Sequence, residues 1–127
     1  PDASVPSLTN SEWYITGTDV GGNIWTGSTL KFESDAQLGS VRRVTGYFTW
    51  TGNGGSVFGR ELFRGELDRT GRLVLNGYQL VPPSNGIITN VVYTVYLTPT
   101  GNELINGSWG GEGVPSQSWS AVRRTAP

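Results

Sequence analysis

Cysteine, histidine and methionine are all missing from this chain of 127 residues, and lysine occurs once, as Lys31. Without thiols or imidazoles it can build no disulfide framework, zinc site, thiol nucleophile or imidazole base. Long apolar runs are missing too: nothing approaches the ~20 residues that cross a bilayer as a helix, so a membrane role would be peripheral. Helical periodicity is equally absent, because Gly or Pro interrupts nearly every window. Charged residues make up only 15% of the chain and nearly cancel, at a net −1. That balance supplies no basic stripe for nucleic acid, which is not expected as a partner. Arg42-Arg43 and Arg123-Arg124 read as charge on strand surfaces.

What the chain does have is 19 glycines, 11% aromatic residues and abundant Ser, Thr and Asn, the balance of a turn-rich β protein. Its length suits one domain with one core. Residues 1–10 read as a loose N-terminal segment with a processed look, which points to a secreted or surface-exposed setting, and residues 11–127 as the domain. About eight β-rich runs stand between turn signals: Glu12 to Gly17, Asn23 to Glu33, Val41 to Thr51, Val57 to Asp68, Arg72 to Val81, Ile87 to Thr98, Glu103 to Trp109 and Gln117 to Arg124. Gly21-Gly22, Asn53-Gly54-Gly55, Asp68 to Gly71 and Pro99 to Asn102 supply tight turns. Pro82-Pro83 is expected to end a strand, since proline gives nothing to the ladder. Asn76-Gly77 and Asn106-Gly107 lie inside runs and read as bulges or bends in preference to hairpins. The stretches around them, Thr70 to Tyr78 and Thr100 to Ser108, echo one another. Connections this short favour neighbouring antiparallel strands, and such strands close into an up-and-down barrel that hides its edges. A two-sheet sandwich or jelly roll is the alternative, because the same alternation serves it.

Period-two alternation predicts the inward faces. Val44, Gly46, Phe48 and Trp50 share one face, and Val91, Tyr93, Val95 and Leu97 another. In the fourth run Val57, Gly59, Glu61, Phe63, Gly65 and Leu67 form the core row, which sets a carboxylate among apolar residues. Burying a carboxylate is expensive unless it is paired or protonated. The preferred reading is a bulge near Gly59 that turns Glu61 to water, or an arginine that satisfies it. The other is a ligand-contacting or acid/base carboxylate in a cavity.

Aromatic residues are the most distinctive inventory. Trp25, Trp50, Tyr93, Trp109 and Trp119, with Glu61, are the candidate ligand-binding residues, since large rings with polar edges line small-molecule pockets and stack on sugars. Ordinary core and cross-strand packing is the competing explanation for each. Trp109 stands out, because Gly107, Gly110, Gly111 and Gly113 leave little nearby bulk to bury it.

Ser11-Glu12-Trp13-Tyr14 at one end of the chain and Trp119-Ser120-Ala121-Val122-Arg123 at the other resemble the ends of a calycin-type barrel, the group that holds lipocalins and avidins. The resemblance implies that Trp13 packs against Arg123 or Arg124 and closes the barrel; Ser11 stands where the lipocalin pattern has glycine.

These features support a non-catalytic protein that binds a small apolar or amphipathic ligand in the barrel. The alternatives are a lectin-like module that binds glycan through surface aromatics, a structural subunit of an appendage, capsid or filament that would associate with its own copies, and a small barrel enzyme using carboxylates. No catalytic residue, metal or cofactor is expected. A cavity above ~300 Å³ lined by aromatics would favour the first reading.

Overall fold

The computed structural model describes residues 7–18, 24–87, 91–109 and 118–124. Eight strands run in chain order: β1 (Glu12–Thr18), β2 (Thr29–Leu38), β3 (Val41–Gly52), β4 (Val57–Leu67), β5 (Arg72–Asn85), β6 (Val92–Leu97), β7 (Glu103–Trp109) and β8 (Ser118–Arg123). Each pairs antiparallel with the next, and β8 returns to β1 in a continuous register from Trp13↔Arg123 to Thr18↔Ser118. The sheet is therefore a closed up-and-down barrel and not a sandwich. Among the described residues the helical content is one short turn, Asn53–Gly55, and no helix is long and apolar enough to cross a membrane.

Turn chemistry sets the hairpins. In the β4–β5 turn the Asp68 carboxylate accepts hydrogen bonds from the Thr70 hydroxyl at 2.6 Å, the Thr70 N–H at 2.8 Å and the Arg72 N–H at 3.1 Å. The Thr70 hydroxyl, more than the backbone groups, holds that carboxyl below its ordinary range. Gly71 then takes the left-handed φ of 92° that reverses the chain.

Inward residues follow the alternation. Phe32, Phe48, Phe63, Leu73, Leu75 and Val95 are fully buried, and an interior of eight strands is just wide enough for side chains to fill. Each large apolar residue so buried contributes roughly 1.5–3 kcal/mol.

The strand bounds differ from the sequence reading most in β2, β5 and β6, the last of which begins at Val92 and not at Ile87. β2 begins at Thr29, not Asn23, because Trp25 to Ser28 form a turn, with the Ser28 N–H donated to the Trp25 carbonyl and Gly27 at φ 104°. It also runs on past Glu33, where a bulge between Phe32 and Ser34 reverses the facing and turns Asp35 inward. Likewise β5 continues through Pro82-Pro83 to Asn85. Its pairing with β6 stops at Asn76↔Val92, and its ladder to β4 skips from Arg60↔Val81 to Phe58↔Asn85, so neither proline sits in a regular two-sided ladder. Asn76-Gly77 and Asn106-Gly107 do sit beside register shifts within continuous strands, with Asn106 at φ 55°.

The barrel end that holds the β2–β3, β4–β5 and β6–β7 turns is closed by the segment before β1. Of the N-terminal stretch expected to be loose, residues 1–6 lie outside the described residues, whereas Leu8 is fully buried. The Leu8 N–H is donated to Asp35 Oδ2 at 2.8 Å, and its carbonyl accepts from the Ser11 hydroxyl, which in turn accepts from the Trp13 indole N–H at 2.9 Å. Arg42 is not surface charge either. It shares the inward parity of Val44 and Phe48, and its guanidinium clamps Asp35 through Nε at 2.9 Å and through Nη2. Burial alone would raise the Asp35 carboxyl; the hydrogen bonds from Arg42 and Leu8 and the Arg42 charge outweigh it and hold it below 3.8. Arg123 lies with its guanidinium 5.7 Å from the Trp13 ring centroid and donates to the carbonyls of Ser7 and Gly101. Arg124 reaches Glu12 instead, at 3.2 Å, and Lys31 shares that carboxylate at 3.6 Å.

Candidate functional site

At the opposite end the strands β3 and β7 finish and β4, β6 and β8 begin, so residues far apart in sequence come level with one another. Glu61 lies on the third position of the inward row of β4, after Val57 and Gly59, and is 0% exposed. The expected escape to water does not occur: the register shift near Gly59 falls on the β5 partner, Val81 to Asn85, and leaves the facing of β4 unchanged. Two donors to its Oε1 come from aromatic side chains. The Trp50 indole N–H donates at 3.0 Å and the Tyr93 hydroxyl at 2.6 Å. Burial raises the Tyr93 phenol far above its ordinary value, and the Glu61 charge and hydrogen bond raise it further, so Tyr93 stays protonated and donates.

Around this carboxylate the five predicted aromatics gather. Trp25 meets Trp50 edge to face at 5.5 Å and Trp109 at 6.4 Å, while Trp50 meets Trp109 at 6.0 Å. Tyr93 contacts Trp50 at 5.6 Å and both Trp109 and Trp119 at 6.4 Å. Such edge-to-face and tilted geometries are the favourable ones for ring quadrupoles. Trp109 is 7% exposed. Its glycine-rich flank therefore does not leave it bare, because the bulk that covers it comes from Trp25, Trp50 and Tyr93 on other elements. Gly110, Gly111 and Gly113 lie outside the described residues.

Three residues that support the cluster were not among the site candidates read from the sequence. Phe48 stacks on Trp50 at 4.5 Å with an interplanar angle of 16° and touches Tyr93 at 4.6 Å; its shared face with Trp50 was the available signal. Gly77 faces the Glu61 carboxylate so closely that a Cβ there would lie on it. Gly107 does the same for Trp119, where a Cβ would come 2.8 Å from the indole Cδ1 and Nε1. These are the glycines of the two Asn-Gly pairs. The echo between the two stretches thus has a spatial counterpart, since each leaves a gap in its strand that a cluster side chain fills.

A cavity of about 220 Å³ lies at the latched end of the barrel, lined by Gln37, Ser40, Arg42, Asp68, Thr70 and Thr98 among others and not by the aromatic cluster, so it is not the aromatic-lined cavity above ~300 Å³ expected of a small-ligand site. Chemically, the cluster offers a desolvated carboxylate oriented by two neutral donors, with indole rings between it and the loop end. Trp13 and Arg123 belong to the other end and take no part in it. No family model, curated protein or solved structure matches the chain.

Proposed function

We propose that this chain is a non-catalytic binding protein that takes a small apolar or amphipathic ligand at the aromatic end of a calycin-type barrel, with Glu61 as its polar anchor. One observation carries the reading: a fully buried carboxylate is held by Trp50 and Tyr93 inside a cage of tryptophans. Taking a carboxylate out of water costs several kcal/mol, and an apolar residue of similar volume would fill the space at lower cost. Ligand recognition gives that group a use, because a ligand's donor or cation gains most from an acceptor already stripped of water. The Trp13–Arg123 contact supports the calycin-type assignment.

The 2.6 Å Tyr93–Glu61 hydrogen bond favours a second reading, in which the pair moves a proton on a bound substrate. One variant separates the two. Glu61→Gln keeps an acceptor for Trp50 and Tyr93 but removes the charge. Native mass spectrometry of the protein from its own source identifies the ligand, and tryptophan fluorescence then measures its affinity for both forms. Binding weakened about ten- to hundredfold in Glu61→Gln, as for the loss of a charged hydrogen bond, supports the binding reading. Turnover of the bound compound by the wild type, abolished in Glu61→Gln, makes the protein an enzyme.

A further inference from the structure

The outer face of β3, β4 and β5 carries a second arrangement, separate from the interior. Arg60, Leu62 and Arg64 point outward from β4. The Arg60 guanidinium lies 4.3 Å from the centroid of the Tyr47 ring, and that of Arg64 lies 4.3 Å from Tyr78. In register, Leu62 sits between Tyr47 on β3 and Gln79 on β5, so two Arg–Tyr stacks bracket it. Among the described residues neither guanidinium has a carboxylate partner. Glu66 follows Arg64 by two residues on the same outward face and opposes Arg43, and Glu33 lies at the bulge of β2.

A guanidinium over a phenol ring keeps its N–H donors, which suit bidentate contact with a carboxylate. The backbones of Arg60 and Arg64 stand about 13 Å apart along β4, but the rings their guanidinium groups cover, Tyr47 and Tyr78, lie level with Leu62 on the two flanking strands, about 10 Å apart across the sheet. That separation suits two anionic groups on one extended chain better than a single small anion. Thr45, Thr49, Asn76 and Gln79 occupy the neighbouring register positions and offer hydroxyl and amide groups. We propose that this face binds an acidic polysaccharide, with uronate carboxylates on Arg60 and Arg64 and sugar hydroxyls on the threonines and amides. A nucleic acid fits it less well. Bases need an open aromatic face to stack on, and Tyr47 and Tyr78 each carry an arginine over the ring, in a chain whose net charge is −1.

The surface and the interior site stand or fall independently, because no residue is shared. Affinity electrophoresis and calorimetry with polygalacturonate test the proposal, using its methyl-esterified form as the uncharged counterpart and oligothymidylate as the rival polyanion. The wild type is expected to bind polygalacturonate, more weakly as salt rises, and to bind the other two polymers far less. The double variant Arg60→Gln/Arg64→Gln should lose at least about tenfold in affinity. Arg60→Lys/Arg64→Lys should fall between, since lysine keeps charge without the fork. The charge-matched pair Arg69→Gln/Arg72→Gln, at the β4–β5 turn, should bind like the wild type. Failure of the wild type to bind, equal binding of the esterified polymer or of oligothymidylate, or an equal loss in the charge-matched pair overturns the proposal.

Discussion

The two ends of the barrel each bury a carboxylate, and they satisfy it by different means. At the latched end Asp35 meets a full opposite charge on Arg42, and the Leu8 N–H is added from the segment that folds across the opening. At the aromatic end the hydrogen bonds to Glu61 Oε1 come from neutral groups, the Trp50 indole and the Tyr93 phenol. Charge against charge is how a protein closes a structural joint, whereas neutral donors such as the Trp50 indole and the Tyr93 phenol orient a carboxylate without neutralising it. The comparison predicts that stability is concentrated at the first end and recognition at the second.

The largest expected effect comes from breaking the structural pair. Arg42→Ala leaves Asp35 buried beside no counter-charge and should cost about 3–5 kcal/mol in urea unfolding. A loss under about 1 kcal/mol would mean that the latched end is not where stability resides. The acid limb sharpens the same point. Because the folded-state carboxyl of Asp35 lies below its unfolded value of 3.8, the unfolded chain binds more protons between the two, and stability falls as pH drops below about 4. Asp35→Asn should flatten that part of the profile while lowering stability at neutral pH.

Next in size is the plug itself. Leu8→Ala opens a cavity under the latch and should cost about 3 kcal/mol. If Leu8 were dispensable, hydrogen exchange of the Ser11 and Phe32 amides, whose bonds anchor this segment, would be unchanged in the variant.

A smaller effect tests barrel closure. A double-mutant cycle of Trp13→Ala and Arg123→Ala should give a coupling energy of roughly 0.5–1 kcal/mol from the cation–π contact, while the same cycle with Arg124→Ala should be additive, since Arg124 pairs with Glu12. Coupling to Arg124 and none to Arg123 would reverse the assignment.

The smallest effect on stability is expected at the other end. Glu61→Gln preserves both hydrogen bonds to Oε1 and should change unfolding free energy by under about 1 kcal/mol in either direction. A loss comparable to that of Arg42→Ala would erase the distinction between the ends and make Glu61 a structural group.

Much of the barrel was legible in the chain, and so was part of the site. The parity that places Glu61 in line with Phe63 and Leu67 is a local property of β4 and holds in the structure. Arg42 was legible by the same rule, on the parity of Val44 and Phe48, but its charge argued for the surface. Asp35 was not legible: counted from Leu30 and Phe32 it falls on the outer face, and only the bulge at Glu33 turns it in.

Alternation and turn residues by themselves determined an all-β chain of short antiparallel strands and most of the inward row, because a period of two and a glycine at positive φ are fixed by a few consecutive residues. The tertiary structure decided what lies beyond that range. Closure of β8 on β1 distinguishes barrel from sandwich through hydrogen bonds between chain ends; the motifs around Trp13 and Arg123 pointed to that closure by resemblance, but contacts between residues so far apart in sequence form only in the folded chain. The meeting of Trp25, Trp50, Tyr93, Trp109 and Trp119 around Glu61 depends on strand stagger and on the bulges beside Gly77 and Gly107, which set how far each strand has advanced when it reaches the barrel's end.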